Sequence, residues 1–218
     1  MSAGSPADSA KELAKTVIFL VVMVLAIRAF LIQAYHIPSG SMEDTLLEGD
    51  YVLGDKLTYG SMVPDRLPLF GFGLPSFRMP GFRSPESGDL VIFEFPEDPS
   101  KDFIKRCVAT SGQVVEMKDQ QIFVDGAIFL EPSGVKYTDR RRSRLSRRDS
   151  WGPETVPEGH IFVIGDNRDN SYDSRSWGTV SVNKVKAHPL IIYFSWDSDA
   201  PAWRIWEKVR WRRLGTIE

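Results

Sequence analysis

The chain is short of residue types on which many enzymes and binding proteins depend. Cys107 is its one cysteine, so no internal disulfide forms and no zinc site with paired cysteines exists. Histidine stands only at positions 36, 160 and 188. His36 lies five residues before Ser41, too close in an extended chain to fold back onto it, and no companion carboxylate completes a Ser-His-Asp triad. His160 opens a β-rich run and His188 precedes a proline, so both read as structural. Neither sign of charge dominates: 27 Lys and Arg against 29 Asp and Glu leave a formal net charge of −2. Nothing global therefore points to nucleic acid or to a strongly acidic partner. Helix-period stretches are nearly absent after Met42, and long apolar runs are missing with a single exception.

That exception lies near the N-terminus. After Thr16, every residue to Ile27 is apolar, and Ala29-Phe30-Leu31-Ile32 continues the run beyond Arg28. A helix over 16–35 has roughly the 20 residues needed to cross a bilayer. Arg28 is the costly residue, and it sits near enough to the far end to snorkel to the headgroups along its own stem. A cleaved signal peptide is the alternative reading, but no small-x-small cleavage site follows. Lys11 and Lys15 precede the span, whereas 29–55 holds no lysine or arginine and carries Glu43, Asp44, Glu48, Asp50 and Asp55. The positive-inside rule places residues 1–15 in the cytoplasm and 36–218 across the membrane. No later segment is long and apolar enough to cross back.

The expected domain over 36–218 is mostly β. Short β-branched or aromatic runs occur at 51–56, 89–95, 103–109, 114–117, 122–124, 127–130, 161–164 and 190–196. Asp125-Gly126 between two of them is a type I′ hairpin signal. Many short strands without intervening helices predict an all-β fold: an antiparallel sheet or barrel-like catalytic domain behind one transmembrane helix. A domain of this size holds together on its core without disulfides.

Two inserts interrupt the strands. Residues 60–88 are rich in Gly and Pro and carry Leu67, Leu69, Phe70, Phe72, Leu74, Phe77, Met79 and Phe82. They read either as an irregular connection or as a loop dipping into the lipid interface. Residues 137–151 gather Arg140, Arg141, Arg142, Arg144, Arg147 and Arg148, a solvated loop tip or a site for phosphate headgroups. The tail from Trp203 to Arg213 mixes tryptophan with arginine, as interfacial segments do, or packs as a terminal strand and helix.

Three motifs carry the chemistry. Pro38-Ser39-Gly40-Ser41-Met42 lies within ten residues of the apolar run, so a nucleophile at Ser41 would meet its substrate at the bilayer. In 102–108 (Asp-Phe-Ile-Lys-Arg-Cys-Val), strand alternation places Lys105 with Phe103 and Cys107 and away from Arg106. Among apolar neighbours a lysine loses hydration in its charged form and its pKa falls, as an amine must to take a proton from serine near neutral pH. An ordinary edge-strand lysine with its head in water fits the same pattern. The third motif, 165–178, is dense in polar turn-formers after an apolar strand. Asp173 and Arg175 can pair there, and Ser171 can bond near an amine. Its Asp-x-Asp spacing lacks the glycine and distant glutamate of an EF-hand.

Ser39-Gly40-Ser41-Met42, then Lys105-Arg106, then Gly165-Asp-Asn-Arg-Asp-Asn-Ser171-x-Asp173-Ser-Arg175-x-Trp-Gly178, in that order behind one span, resembles bacterial type I signal peptidase. The resemblance covers about 16–196, and the 165–178 motif is its most specific part. It implies Ser41 as nucleophile and Lys105 as general base. The Ser41 N–H and the Ser39 hydroxyl would form the oxyanion hole. Ser171 would hydrogen-bond and orient the Lys105 amine, and Asp173 with Arg175 would form a supporting ion pair. Tyr35, Ile37 and Ile104 would line the pocket for small side chains. The implied substrates are preproteins with small residues at the first and third positions before the cut, with no metal and no cofactor. The implied setting is the bacterial inner membrane, with lipid as neighbour, no nucleic acid, and the chain acting as a monomer.

The chain departs from that family's pattern at two places. Asp44 stands where the family commonly has proline before Thr-Leu, which predicts a less constrained turn after the nucleophile. Ala109-Thr110-Ser111-Gly112-Gln113 replaces the usual Gly-x-Pro-Gly-acidic turn. Two other readings remain open. One is a Ser/Lys autoprotease of the SOS-repressor type, against which stand the anchor and the lack of a helix-turn-helix pattern. The other is a catalytically silent, membrane-anchored β module that binds exported proteins, which has no need of the dyad and both its supports.

Overall fold

The computed structural model describes residues 6–60, 78–137, 150–201 and 203–217. The apolar residues 67–77 of the first insert and the arginines of the second lie outside them. In chain order the elements are α1 (Pro6–Phe30), β1 (Ile32–His36), β2 (Asp50–Asp55), β3 (Leu90–Glu94), β4 (Asp102–Thr110), β5 (Val114–Lys118), β6 (Gln121–Val124), β7 (Ala127–Ile128), β8 (Trp151–Thr155), β9 (His160–Ile164), α2 (Ser174–Trp177), β10 (Val180–Ser181), β11 (Val185–Ser195), α3 (Ile205–Lys208) and β12 (Gly215–Thr216).

Within α1, Ser9–Phe30 is long and apolar enough to cross a membrane, with mean hydropathy 2.3. The helix ends at Phe30, five residues short of the expected limit at Tyr35. Residues 32–36 instead pair antiparallel with β2, Ile32 opposite Asp55 and His36 opposite Tyr51. Their period-two alternation of half-buried Gln33 and Tyr35 with exposed neighbours is what a sheet edge requires. The junction is closed by Lys56, whose Nζ donates to the carbonyl of Ala29 at 2.8 Å. Carbonyls at a helix C-terminus lack intrahelical donors, so one ammonium both caps α1 and fastens it to β2.

The strands form two antiparallel sheets. The larger runs β1-β2-β11-β3-β4-β9-β10, with β12 also on β11; the smaller runs β7-β6-β5-β8. The 11-residue β11 pairs with β3 through Val185 and Ala187 and with β2 from His188 to Ser195, with register shifts in both ladders. Such irregularities bend a strand and increase its twist, so the larger sheet curls without closing into a barrel. In the smaller sheet Asp125 (φ 53°) and Gly126 (φ 79°) make the turn between β6 and β7 with both central residues left-handed, as a type I′ hairpin demands.

The apolar core has three parts. One packs Ile37, Met42, Leu46, Val52, Ile92 and Ile104 beneath the loop that carries Ser41. A second gathers Val91, Phe93, Cys107, Val163 and Val185, with Phe103 and Trp177 against it. The third joins Val108 and Phe162 to Val115, Met117 and Ile122 of the smaller sheet. Strand β4 takes part in all three, with residues 104–109 buried on both faces. Lys105 is therefore set in the buried stretch of β4.

Candidate active site

Ser41 sits in a single helical turn, Gly40–Met42, between β1 and β2. Met42 is wholly buried and its sulfur accepts the backbone N–H of Asp166 at 3.4 Å, which pins the turn from below. The Ser41 carbonyl accepts the N–H of Asn167 at 3.1 Å. The third motif thus packs directly behind the Ser41 loop.

Lys105 reaches the same point from β4. It is 3% exposed, with Nζ 2.6 Å from Ser41 Oγ and 3.0 Å from the Ile104 carbonyl oxygen. The ammonium also lies 5.4 Å from the Phe103 ring centroid. Burial lowers its pKa to about 8, against upward pulls from Asp173 and Asp166 and with a smaller downward push from Arg175. Desolvation outweighs the carboxylates because neither of them hydrogen-bonds the amine. A large fraction of the amine is thereby neutral, and able to accept a proton, in mildly alkaline solution.

Arg106, on the opposite face of β4, makes a two-pronged bond with the buried Asp166 at 2.9 and 2.7 Å. Thr45 Oγ1 donates to the same carboxylate at 2.6 Å. Asp173 caps α2 and accepts Arg175 Nε and Nη2, each at 2.8 Å, and the Gly165 N–H at 3.2 Å. Burial pushes the Asp173 carboxyl up, but the Arg175 hydrogen bonds and charge hold it below the usual carboxylate range. The pair the sequence suggests is formed, and Arg175 Nη2 extends it to the Arg168 carbonyl at 2.7 Å.

Ser171 is buried close to these groups but makes no hydrogen bond to the Lys105 amine; the Ile104 carbonyl takes that place. Its hydroxyl packs instead against Gly165, where a Cβ would collide with both Ser171 Oγ and the Ser41 carbonyl. Ser39 is extended (φ −149°, ψ 154°) and lies with Ser41 on the wall of a cleft of about 730 Å³. Tyr35, Ile37, Ile92 and Ile104 line the cleft too. Gly54 shapes this wall from outside, since a Cβ there would lie 2.8 Å from Tyr35 Cε2 and 2.9 Å from the Ala187 Cβ.

His36 faces the cleft, but its ring sits 4.8 Å from that of Tyr51, with no carboxylate among the described residues bonded to it. The turn after Ser41 differs from expectation. Asp44 is left-handed (φ 80°), a conformation closed to proline, whose ring holds φ near −65°. Lys136 Nζ lies 3.3 Å from Glu43 and 3.2 Å from Asp44. Without proline the turn is still constrained, by ion pairs rather than by a ring.

Asn167, Asp166, Thr45, Gly165 and Lys136 carry this geometry without having been singled out by residue type. Gly165, Asp166 and Asn167 belong to the polar stretch after β9 and Thr45 follows the Ser41 motif, whereas Lys136 carries no sequence signal. Among the described residues, no group of three His, Cys, Asp or Glu side chains is placed to hold a metal ion.

Residues 10–194 match the family model described as signal peptidase, peptidase S26. The chain is 33% identical over 193 residues to a signal peptidase I of Pseudomonas fluorescens, an alignment covering 79% of this chain and 65% of that protein. The chain thus spans just under two thirds of that relative's length. It is 31% identical over 231 residues to a signal peptidase I of Aquifex aeolicus (strain VF5), covering 82% of each. A solved signal peptidase I from Enterococcus faecalis V583 aligns with 49% of this chain and 97% of its own, at 28% identity and a TM-score of 0.41. With the motifs in order, the curled antiparallel sheet behind an apolar helix, and a family match over most of its length, the chain belongs to the signal peptidase family, peptidase S26.

Proposed function

We propose that this protein is a membrane-anchored serine endopeptidase that removes N-terminal signal peptides from exported preproteins, with Ser41 as nucleophile and Lys105 as general base. The observation that carries the reading is the 2.6 Å contact between Ser41 Oγ and a lysine amine that is 3% exposed. An amine shielded from water and placed on a serine hydroxyl has little structural purpose, since burying it uncompensated is unfavourable.

In the proposed reaction the neutral Lys105 amine takes the Ser41 proton as Oγ bonds to the scissile carbonyl carbon. The carbonyl π electrons move to oxygen, facing the Ser41 N–H and the Ser39 hydroxyl. The resulting Lys105 ammonium donates its proton to the departing amine as the C–N bond breaks. Water then attacks the acyl-enzyme, Lys105 removes its proton, and the signal peptide leaves with a free carboxylate while Ser41 regains its hydrogen. Asp173 and Arg175 support the amine through the electrostatics of the site, and Ser171 does so through packing on Gly165. Tyr35, Ile37 and Ile104 restrict the cleft to small side chains, which favours Ala-x-Ala before the cut.

Location fits the substrate. With α1 in the membrane, β1 is about 17 Å of extended chain, so the cleft stays close to the surface where signal sequences emerge. The charges around the span orient the N-terminus to the cytoplasm and the catalytic domain outside the bacterial inner membrane.

The deciding experiment incubates the full chain in lipid-supplemented detergent with an Ala-x-Ala preprotein, beside Ser41→Ala, and reads the product's new N-terminus. Cleavage after the second alanine by wild type alone is expected. Absence of cleavage by folded wild type would turn the assignment toward a silent β module that binds exported proteins. Equal cleavage by both would exclude Ser41 as nucleophile.

A further inference from the structure

One buried side chain behind the nucleophile has no part in the reaction as written above. Asn167 is 2% exposed and touches both peptide groups that flank the reactive serine. Its backbone N–H donates to the Ser41 carbonyl at 3.1 Å, and its side-chain Nδ2 donates to the Gly40 carbonyl at 3.0 Å. Nδ2 also donates to Glu43 Oε2 at 3.1 Å. Both partners are acceptors, so the amide orientation is dictated: only the NH2 end suits this place.

The Gly40 carbonyl and the Ser41 N–H belong to one peptide group. A trans peptide is planar, and its C=O and N–H point in opposite directions. The Gly40 oxygen accepts a second bond from the Glu43 N–H at 3.2 Å, so both its lone-pair directions are engaged. With that oxygen held from behind, the direction of the Ser41 N–H is held as well. Bonds to the carbonyl also polarise the peptide and strengthen its N–H as a donor.

Asn167 is in turn held on both sides. Lys136 N donates to the Asp166 carbonyl and Arg168 N donates to the Lys136 carbonyl, each at 3.0 Å. The Lys136 ammonium closes the arrangement over Glu43 and Asp44. The main chain carrying Asn167 is thus set before its side chain reaches Gly40.

We infer that Asn167 is the positioning residue of the oxyanion hole, fixing through the Gly40 carbonyl the direction in which the Ser41 N–H meets the developing oxyanion. The inference rests on the peptidase reading and adds to it a residue that never touches substrate.

The test uses the full chain in lipid-supplemented detergent, as wild type, Asn167→Ala and Glu43→Ala. Each is assayed for preprotein cleavage and for inhibition by two peptides of one sequence, ending in an aldehyde or in a carboxamide. Ser41 Oγ adds to the aldehyde carbon, its proton passes to Lys105 and the carbonyl oxygen becomes the oxyanion. The carboxamide only binds. Loss of an oxyanion donor typically lowers kcat by about 10²–10³, so misdirecting one should lower it by roughly 10–100-fold, with KM within about threefold. The aldehyde's binding advantage over the carboxamide should shrink by a similar factor while carboxamide inhibition is kept. Glu43→Ala frees one anchor of Nδ2 and should show the same selective loss at roughly two- to fivefold.

Unchanged kcat and aldehyde preference in folded Asn167→Ala would overturn the inference. So would equal loss toward both inhibitors, which marks a merely structural role. If Asn167→Ala melts well below wild type, the half-exposed Glu43→Ala decides, and wild-type kcat and selectivity there would overturn it. Failure of wild type itself to cleave or to prefer the aldehyde would sink the peptidase reading and this inference with it.

Discussion

The two sheets share strand-building chemistry but differ in what they bury. The smaller sheet packs Val115, Met117 and Ile122 against Val108, Phe162 and Ile164, a core of apolar side chains only. The larger sheet and its loops enclose Lys56, Lys105, Arg106, Asp166, Asn167, Arg168 and Asp173. Buried charges are unfavourable unless paired and hydrogen-bonded. The pairs Arg106–Asp166 and Arg175–Asp173 are what make that enclosure tolerable. Among the described residues Lys56 and Lys105 are the exceptions, cations with no carboxylate bonded to them. Lys56 is held by the Ala29 carbonyl at the helix end, Lys105 by the Ser41 hydroxyl and the Ile104 carbonyl. One sheet is built for stability, the other tolerates a cost that its proposed chemistry would require.

The sharpest way to break this contrast is to remove the cation that sits on the Ser41 hydroxyl. Lys105→Met should lower kcat for preprotein cleavage by at least about 10⁴-fold and leave the protein folded, as the near-ultraviolet circular dichroism will show. Retained activity in the folded variant would end the dyad assignment. Next in size, Arg106→Met strands the Asp166 carboxylate in the core. It should destabilise the domain by about 3–5 kcal/mol in urea unfolding, and loosen the Ser41 loop that Thr45 ties to the same carboxylate.

The opposite test belongs to the smaller sheet. Ile122→Ala opens a cavity in an apolar core and should cost about 2–4 kcal/mol of stability, with kcat unchanged at temperatures where the variant is folded. A large kcat loss there would show that the two sheets are coupled in function.

The subtlest test is the pH dependence of the stability gap between wild type and Lys105→Met. The folded-state pKa of Lys105 is lowered from 10.5 to about 8. The unfolded chain therefore binds more protons between those values, and this residue's contribution to stability rises with pH across that window. Below about pH 8 wild type should be the less stable of the two, by up to about 3 kcal/mol. The gap should narrow as pH approaches 10.5. Cleavage should rise through about pH 8 as the amine loses its proton, whereas a flat profile from mildly acid to alkaline pH would count against a lysine base.

Much of this architecture is legible in the sequence because it depends on near neighbours. The apolar run after Thr16 specifies a helix, and the β-branched runs 103–109 and 161–164 specify strands. Asp125-Gly126 specifies its turn through the left-handed backbone both residues accept. Where the reading stopped short, the cause is pairing across distance. Residues 32–36 continue the apolar character of the helix, and only the partner strand β2 makes them a strand. Trp151 to Thr155 has no strand signature of its own, with Gly152 and Pro153 inside it, and becomes β8 by pairing with β5. Asp44 taken as a missing proline suggests a looser turn, because the ammonium that restrains it comes from Lys136, far along the chain.

By itself, the sequence determined which chemical groups are present, that one segment is long and apolar enough to span a bilayer, and that the remainder favours antiparallel strands. Only the tertiary structure decided that Ser41 and Lys105, 64 positions apart, stand 2.6 Å from each other. It also decided that the amine is dry enough for its pKa to fall, and that Asn167 holds the Gly40 carbonyl from behind. Backbone preference is set by the sterics of adjacent residues and can be read locally. Distance, dielectric and hydrogen-bond direction at a site are set by how β4, β9 and the Ser41 loop pack together, and they exist only once the sheet has formed.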